Sequence, residues 1–231
     1  MKLDILSALN QERAARRAAL VATNLKTGEQ VLVREGEVDD ADALAESYRK
    51  AFRQGKSTVV EKEGEEVFLN VFVPPPRLVV IGAVHISQAL YPMARATGFD
   101  VTIVDPRTAF ATKERFPDVT LLTEWPDSVL PGLGVDRYTG IATLTHDPKI
   151  DDPALIHALN SDCFYVGALG SKKTHASRVE RLKQAGLSEE RIGRIHAPLG
   201  LSIGAVSPAE IAVAVLAEIT AALRLGPEAR A

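Results

Sequence analysis

The sequence predicts an α/β protein, a Rossmann-like parallel-sheet domain preceded by a small α+β N-terminal domain. Three observations predict it. Leu78-Val79-Val80-Ile81 is a short β-branched run closed by Gly82 and followed within a few residues by the helical pattern Ile86, Leu90, Met93, Ala94. Such a run suits a strand covered on both faces. Strands and helices then alternate to the end of the chain, whereas the residues before Pro74-Pro75-Pro76 read as helices and hairpins. The proline triplet is a stiff spacer and sets the expected boundary, giving domains 1–73 and 77–231.

Composition narrows the class. At 231 residues with 46% apolar and 25% charged side chains, the chain has the make-up of an ordinary globular protein. No apolar run reaches membrane-spanning length, and the charged N-terminus lacks a signal-peptide core, so a cytoplasmic address is expected. A net charge of −3 gives no basic footprint for nucleic acid or an anionic membrane. A single cysteine rules out an internal disulfide and any multi-cysteine metal site.

In chain order, residues 1–18 predict an amphipathic helix with Leu3, Ile5, Leu6 and Leu9 inward. Ala19–Leu25 and Val31–Val33 predict a hairpin around Lys26-Thr27-Gly28. Asp39–Phe52 predicts a helix capped by Asp39 or Asp40. Thr58–Glu61 and Glu66–Val73 predict a second hairpin. Beyond the prolines, Val101–Val104, Val119–Leu122, Gly140–Leu144 and Cys163–Val166 predict further strands. Asp152-Pro153 is the expected start of one helix, Gly186 the stop of another, and Ser207-Pro208-Ala209-Glu210 a capping box for the last.

Ligands of open parallel sheets bind beyond the carboxyl ends of the strands, so the residues after each strand are the candidates. They are Gly82, Ala83 and His85; Asp105 and Arg107; His146 and Asp147; and Gly167, Gly170, Ser171 and Lys172. Gly167–Lys173 combines glycines, a capping serine and two lysines, a pattern suited to an anion. His85 falls in the first turn of a helix, where it either meets a ligand or packs. Asp105 lies 23 residues after Gly82, close to the ~20 at which an acid meets ribose in dinucleotide-binding folds. It can accept from a sugar hydroxyl or a pterin N–H, and Arg107 can grip a phosphate; an Asp-Pro-Arg ion pair closing the turn is the equal alternative. His146-Asp147 can hold a ligand, or the Asp-Pro pair can simply make a turn. His157 and His196 read as structural, Glu210 as a cap and Cys163 as a small buried hydrophobe. Val84 occupies the position where G-x-G-x-x-G places a glycine for pyrophosphate approach, which counts against ordinary NAD binding.

These residues carry a resemblance. Val80-Ile81-Gly82-Ala83 with His85, Val104-Asp105-Pro106-Arg107, Arg115-Phe116-Pro117, Leu144-Thr145-His146-Asp147 and Gly167-Ala168-Leu169-Gly170-Ser171 all resemble blocks of the XdhC/CoxI family. So do Pro198-Leu199-Gly200-Leu201, Ile203-Gly204-Ala205 and Pro208-Ala209-Glu210-Ile211-Ala212. Members are accessory factors of xanthine dehydrogenase and related molybdenum hydroxylases. The resemblance implies transient binding of molybdenum cofactor (molybdopterin), held while a cysteine desulfurase sulfurates it. It also implies insertion into an apo-hydroxylase, with no turnover by the chaperone itself. Two features depart from the family pattern: Val84 in place of glycine, and no Gly-Gly-Cys segment in residues 1–73. The competing expectation is an NAD(P)-dependent oxidoreductase or a nucleotide-sensing Rossmann domain. Apolar helix surface leaves a homodimer open.

Overall fold

The computed structural model describes residues 1–226; residues 227–231 of the expected C-terminal domain lie outside the described residues. The chain divides into two compact units, Met1–Pro74 and a second beginning at Pro75.

The first unit is a four-stranded antiparallel sheet with two helices. Its elements are α1 (Leu3–Ala14), β1 (Ala19–Asn24), β2 (Gln30–Arg34), α2 (Ala45–Gln54), β3 (Thr58–Lys62) and β4 (Glu65–Phe72), with strand order β2-β1-β4-β3. The α1 helix is shorter than expected and, of its apolar residues, buries only Ile5 and Leu9, which share one stripe at i, i+4; Leu3 and Leu6 face solvent. The β1–β2 turn is tied by the Asn24 side chain, whose Oδ1 accepts from the Lys26 and Thr27 amides at 2.9 Å each. The α2 helix starts later than Asp39. Asp39 accepts from the Ala41 amide and Asp42 from the Leu44 amide, both at 2.9 Å. These local turns compete with helix and delay its first turn.

The second unit is a doubly wound α/β domain. Its strands are β5 (Arg77–Ile81), β6 (Asp100–Val104), β7 (Thr120–Leu122), β8 (Thr139–Thr143), β9 (Tyr165–Ala168) and β10 (Ile195–His196). All pair in parallel, in the order β10-β9-β8-β5-β6-β7. This is the 3-2-1-4-5-6 order of dinucleotide-binding folds, with its switch point between β5 and β8. The helices are α3 (His85–Ala96), α4 (Pro126–Val129), α5 (Pro148–Asn160), α6 (Lys172–Gln184), α7 (Glu189–Ile192) and α8 (Pro208–Leu225). Alternation along β5 feeds two cores. Leu78 and Val80 join α3 and α8 residues such as Leu90 and Ile219, while Val79 and Ile81 join α5 and α6 residues such as Leu155 and Leu182. Both faces of β5 are therefore covered, which is why it reads as an unbroken apolar run. Among the described residues no helix is long and apolar enough to cross a membrane.

Three expected boundaries move. The fifth strand of this unit is Tyr165–Ala168 rather than Cys163–Val166, since the ladder to β8 pairs Gly140 with Tyr165. The α5 helix begins at Pro148, not Asp152: Asp147 is its cap, accepting from the Lys149 amide at 3.0 Å, and Pro153 lies inside the helix. His196, expected in a loop, forms the two-residue strand β10 with Ile195.

Candidate functional site at the carboxyl edge of the sheet

The turn after β5 is closed by its own hydrogen bonds. Gly82 has φ +119°, and a Cβ there would come within 2.9 Å of Thr145 Cγ2, so glycine is required by the approach of the β8–α5 loop. The Ala83 amide donates to Asp105 Oδ2 at 2.7 Å, and the Ser87 hydroxyl donates to the Gly82 carbonyl. Arg115 Nη1 donates to the Ala83 carbonyl at 2.9 Å. Val84 is the N-cap of α3, and His85 stands exposed at its first position.

Asp105 is fully buried, and Arg107 folds back on it. Nε of Arg107 donates to Oδ1 at 2.9 Å and Nη2 to Oδ2 at 2.7 Å, while the Arg107 amide adds a third bond to Oδ1 at 2.9 Å. Burial pushes the Asp105 carboxyl up, but Arg107 and the amides of Ala83 and Arg107 outweigh it and hold it below the usual carboxylate range. Both carboxylate oxygens are engaged, so the geometry is that of the turn-closing ion pair. In this arrangement Asp105 does not present a free oxygen to a ribose, nor Arg107 a free fork to a phosphate.

The β8–α5 loop is fixed from below by Asp151, which is buried. Its Oδ1 accepts from Thr145 Oγ1 at 2.7 Å, and its Oδ2 accepts from the His146 amide at 3.1 Å. His146 sits in the left-handed region at φ +61°, a conformation uncommon for a non-glycine residue and one that the Asp151 contacts maintain. Burial raises the Asp151 carboxyl, with Thr145, Arg178 and the His146 amide opposing only in part.

After β8, Gly167 and Gly170 prove to be different kinds of glycine. Gly167 lies within β9, and a Cβ there would meet Leu199 Cδ1 at 2.3 Å and Tyr165 Oη at 2.6 Å, so its smallness serves packing. Gly170 has φ +141° and makes the turn. Ser171 caps α6, its Oγ accepting from the Thr174 amide at 3.2 Å, and Lys172 and Lys173 stand exposed in the first turn.

Two cavities flank this corner. The first, about 270 Å³, opens between the amino-terminal halves of α5 and α6 and is lined by His146, Lys173, Arg178 and Arg181 among others. The second, about 670 Å³, lies beside Lys172 and Leu169, under the 196–205 segment and α8. At its base Glu218 is held by three groups. Its Oε1 lies 3.2 Å from His196 Nδ1, and its Oε2 accepts from the Tyr165 hydroxyl at 2.5 Å and the Gly200 amide at 2.9 Å. Burial pushes Glu218 up, but His196, Tyr165 and Gly200 outweigh it and hold it low; burial and the Glu218 charge drive Tyr165 far above its ordinary value.

The candidates therefore fall into separate places. Gly82, Ala83, Asp105 and Arg107 form one hydrogen-bonded knot; His146 borders the first cavity and Lys172 the second. Sequence reasoning missed Asp151, Arg178, Glu218 and the strand position of His196. The available signal for Arg178 was its i, i+4 spacing to Leu182 on the inward stripe of α6. Cys163 is buried, its Sγ donating to the Ala158 carbonyl at 3.2 Å, and burial pushes the thiol up despite Arg194 nearby.

The strand order and the carboxyl-edge loops define a Rossmann-type domain whose phosphate turn is sealed by its own side chains. The profile of the XdhC Rossmann domain matches residues 78–219, and the chain belongs to the XdhC family. Among curated relatives, it is 36% identical over 157 residues to the uncharacterized protein YqeB of Escherichia coli (strain K12), covering 66% of this chain and 28% of that protein. It is 33% identical over 157 residues to the molybdenum cofactor insertion chaperone PaoD of the same organism, covering 68% and 43%. It is 32% identical over 154 residues to a probable xanthine dehydrogenase subunit of Bacillus subtilis (strain 168), covering 66% and 44%. The chain thus spans less than half the length of each. A solved structure described as a xanthine dehydrogenase from Bacillus halodurans shares the fold, with a TM-score of 0.67 at 24% identity over 99% of this chain and 66% of that one.

Proposed function

We propose that this chain is a molybdenum cofactor-binding accessory protein, which holds the cofactor for sulfuration by a cysteine desulfurase and inserts it into a xanthine dehydrogenase-type molybdenum hydroxylase. The observation that carries the reading is the contrast at the carboxyl edge. The turn that would seat a dinucleotide pyrophosphate has its Ala83 amide engaged by Asp105, while the neighbouring β9–α6 corner offers Lys172, Lys173 and two cavities to an anionic ligand. Names of relatives point the same way, toward a cofactor insertion chaperone and toward xanthine dehydrogenase.

The residues present fit the anionic end of molybdopterin. A buried guanidinium, Arg178, has Nε and Nη1 without partners beside a cavity that also holds Lys173. Molybdopterin is cargo in this reading, supplying the dithiolene-held metal that the hydroxylase uses. The chain's own residues bind and orient: Lys172 and Lys173 supply charge, Ser171 fixes the start of α6, and His146 borders the smaller cavity.

The nicotinamide reading is disfavoured by the Asp105–Arg107 knot, which leaves no ribose acceptor at the expected place. Co-expression under molybdenum sufficiency, anaerobic purification and assay of bound molybdenum and pterin tests the proposal, with NAD and NADP titrations alongside. Pterin near one per chain without nucleotide binding is expected. Tight nicotinamide binding with no pterin would overturn it.

A further inference from the structure

We infer that the cavity between α5 and α6 is a phosphate-binding subsite, with Arg178 as its buried anchor and Lys173 at its mouth. Arg178 is only 2% exposed, yet among its guanidinium nitrogens Nη2 alone has a partner, donating to the Leu169 carbonyl at 2.8 Å. Nε and Nη1 are buried without any. Buried cations are ordinarily paired, because an uncompensated guanidinium bears the full cost of lost hydration.

The neighbouring carboxylates do not discharge this one. Asp152 is gripped by Arg181, Nε to Oδ2 at 2.5 Å and Nη2 to Oδ1 at 3.0 Å. Asp151 uses its oxygens on Thr145 and the His146 amide. Among the described residues no carboxylate is in ion-pair contact with Arg178, although the fields of Asp151 and Asp152 reach it. Burial, helped by Arg178, holds His175 below its usual range.

The cavity has the size and lining for one oxyanion. About 270 Å³ accommodates a phosphate group with part of its ester, and Arg178 lines it together with Lys173, Thr174, Ser177 and Arg181 from α6. Asp151 and Asp152 also line it, the first held by Thr145 and His146 and the second by Arg181. Successive turns of one helix thus bring three cations and two hydroxyls to a single space, with Lys173 and Thr174 in the first turn at the positive end of the helix dipole. A tetrahedral oxyanion there would bring negative charge beside Arg178, whose Nε and Nη1 have no acceptor of their own. The subsite rests on the proposed function only for the identity of its natural ligand, a phosphate ester of the cofactor rather than free phosphate.

The test is a calorimetric titration of the full chain with inorganic phosphate at constant ionic strength. Saturable binding is expected, weakened about tenfold or more in Arg178→Gln and several-fold in Lys173→Ala, as loss of a charge-assisted contact implies. Lys183→Ala, which removes an exposed charge paired with Glu189 farther along the helix, should bind as the parent does. Lys173 is exposed, so Lys173→Ala keeps the test valid if Arg178→Gln fails to fold. No saturable binding in the parent chain, or unchanged affinity in a folded variant of either residue, would overturn the subsite. Co-purified pterin without phosphate binding would sink the subsite and spare the chaperone reading. Phosphate binding with no pterin would keep the subsite and sink that reading.

Discussion

Arg107 closes on Asp105 through two parallel hydrogen bonds, 2.9 Å from Nε and 2.7 Å from Nη2, at the end of β6. The pair joins the second strand of the Rossmann unit to the turn after the first, since the same carboxylate receives the Ala83 amide. An acid that many dinucleotide folds turn toward ribose is here a structural clasp.

The clasp predicts a stability cost for breaking it. Arg107→Ala leaves a fully buried carboxylate with amide partners only. Removing one member of a buried pair costs ~3–5 kcal/mol, and the 32% exposure of the Arg107 side chain screens part of that, so about 2–3 kcal/mol is expected. Urea unfolding of Arg107→Ala checks it. Weakened ligand binding in this variant therefore has to be read against its stability before any contact with ligand is inferred.

Gly167 predicts a packing penalty. A methyl at this position would press on Leu199 and on the Tyr165 ring. Leu199 is part of the loop over the larger cavity, and Tyr165 is held by Glu218, so neither yields freely. Gly167→Ala should lose about 1–3 kcal/mol, as overpacking of a close-fitted core does. A melting temperature equal to that of the parent would show that the two neighbours move aside.

Much of the fold is legible because period and burial agree. The β5 run, the alternation after the prolines and the Ser207–Glu210 capping box are local signals that tertiary contacts reinforce. The β9 boundaries are not, because residues 163–169 form one apolar stretch whose ends are set only by hydrogen bonds to β8. Strand β10 is too short to leave a pattern. The site is legible as a set of loops and not as a set of roles. Asp105 and Arg107 read equally as ligand and as clasp, and in the structure the two are hydrogen-bonded to each other. Arg178 is masked by the other charges of α6, and only its i, i+4 spacing to Leu182 marks it as inward-facing.

Glu218 organises the base of the larger cavity, and Tyr165→Phe tests how far. The substitution keeps the ring and deletes the hydroxyl that donates at 2.5 Å, leaving Glu218 with His196 and the Gly200 amide. A net loss of about 1.5–3 kcal/mol is expected for one hydrogen bond to a charged acceptor. Glu218→Ala should cost more, because the Tyr165 hydroxyl and the Gly200 amide then both lose their acceptor. Chemical denaturation of the two variants should rank them in that order. Equal stabilities would mean that water replaces the carboxylate without loss.

Glu12 makes the first unit acid-sensitive. Its carboxylate receives Nε of Arg17 at 2.5 Å and Nε of Arg34 at 2.9 Å, and these two partners lower it from 4.5 to about 2. A carboxyl lowered on folding binds protons more readily when unfolded, so stability rises with pH across this interval. The contribution is fully present above about 4.5 and is lost as pH falls toward about 2. Glu12→Gln cannot titrate, so its unfolding free energy should fall less steeply between those limits than that of the parent, while the offset between the two should be constant at neutral pH. Parallel pH profiles for parent and variant would assign the acid sensitivity to other carboxylates.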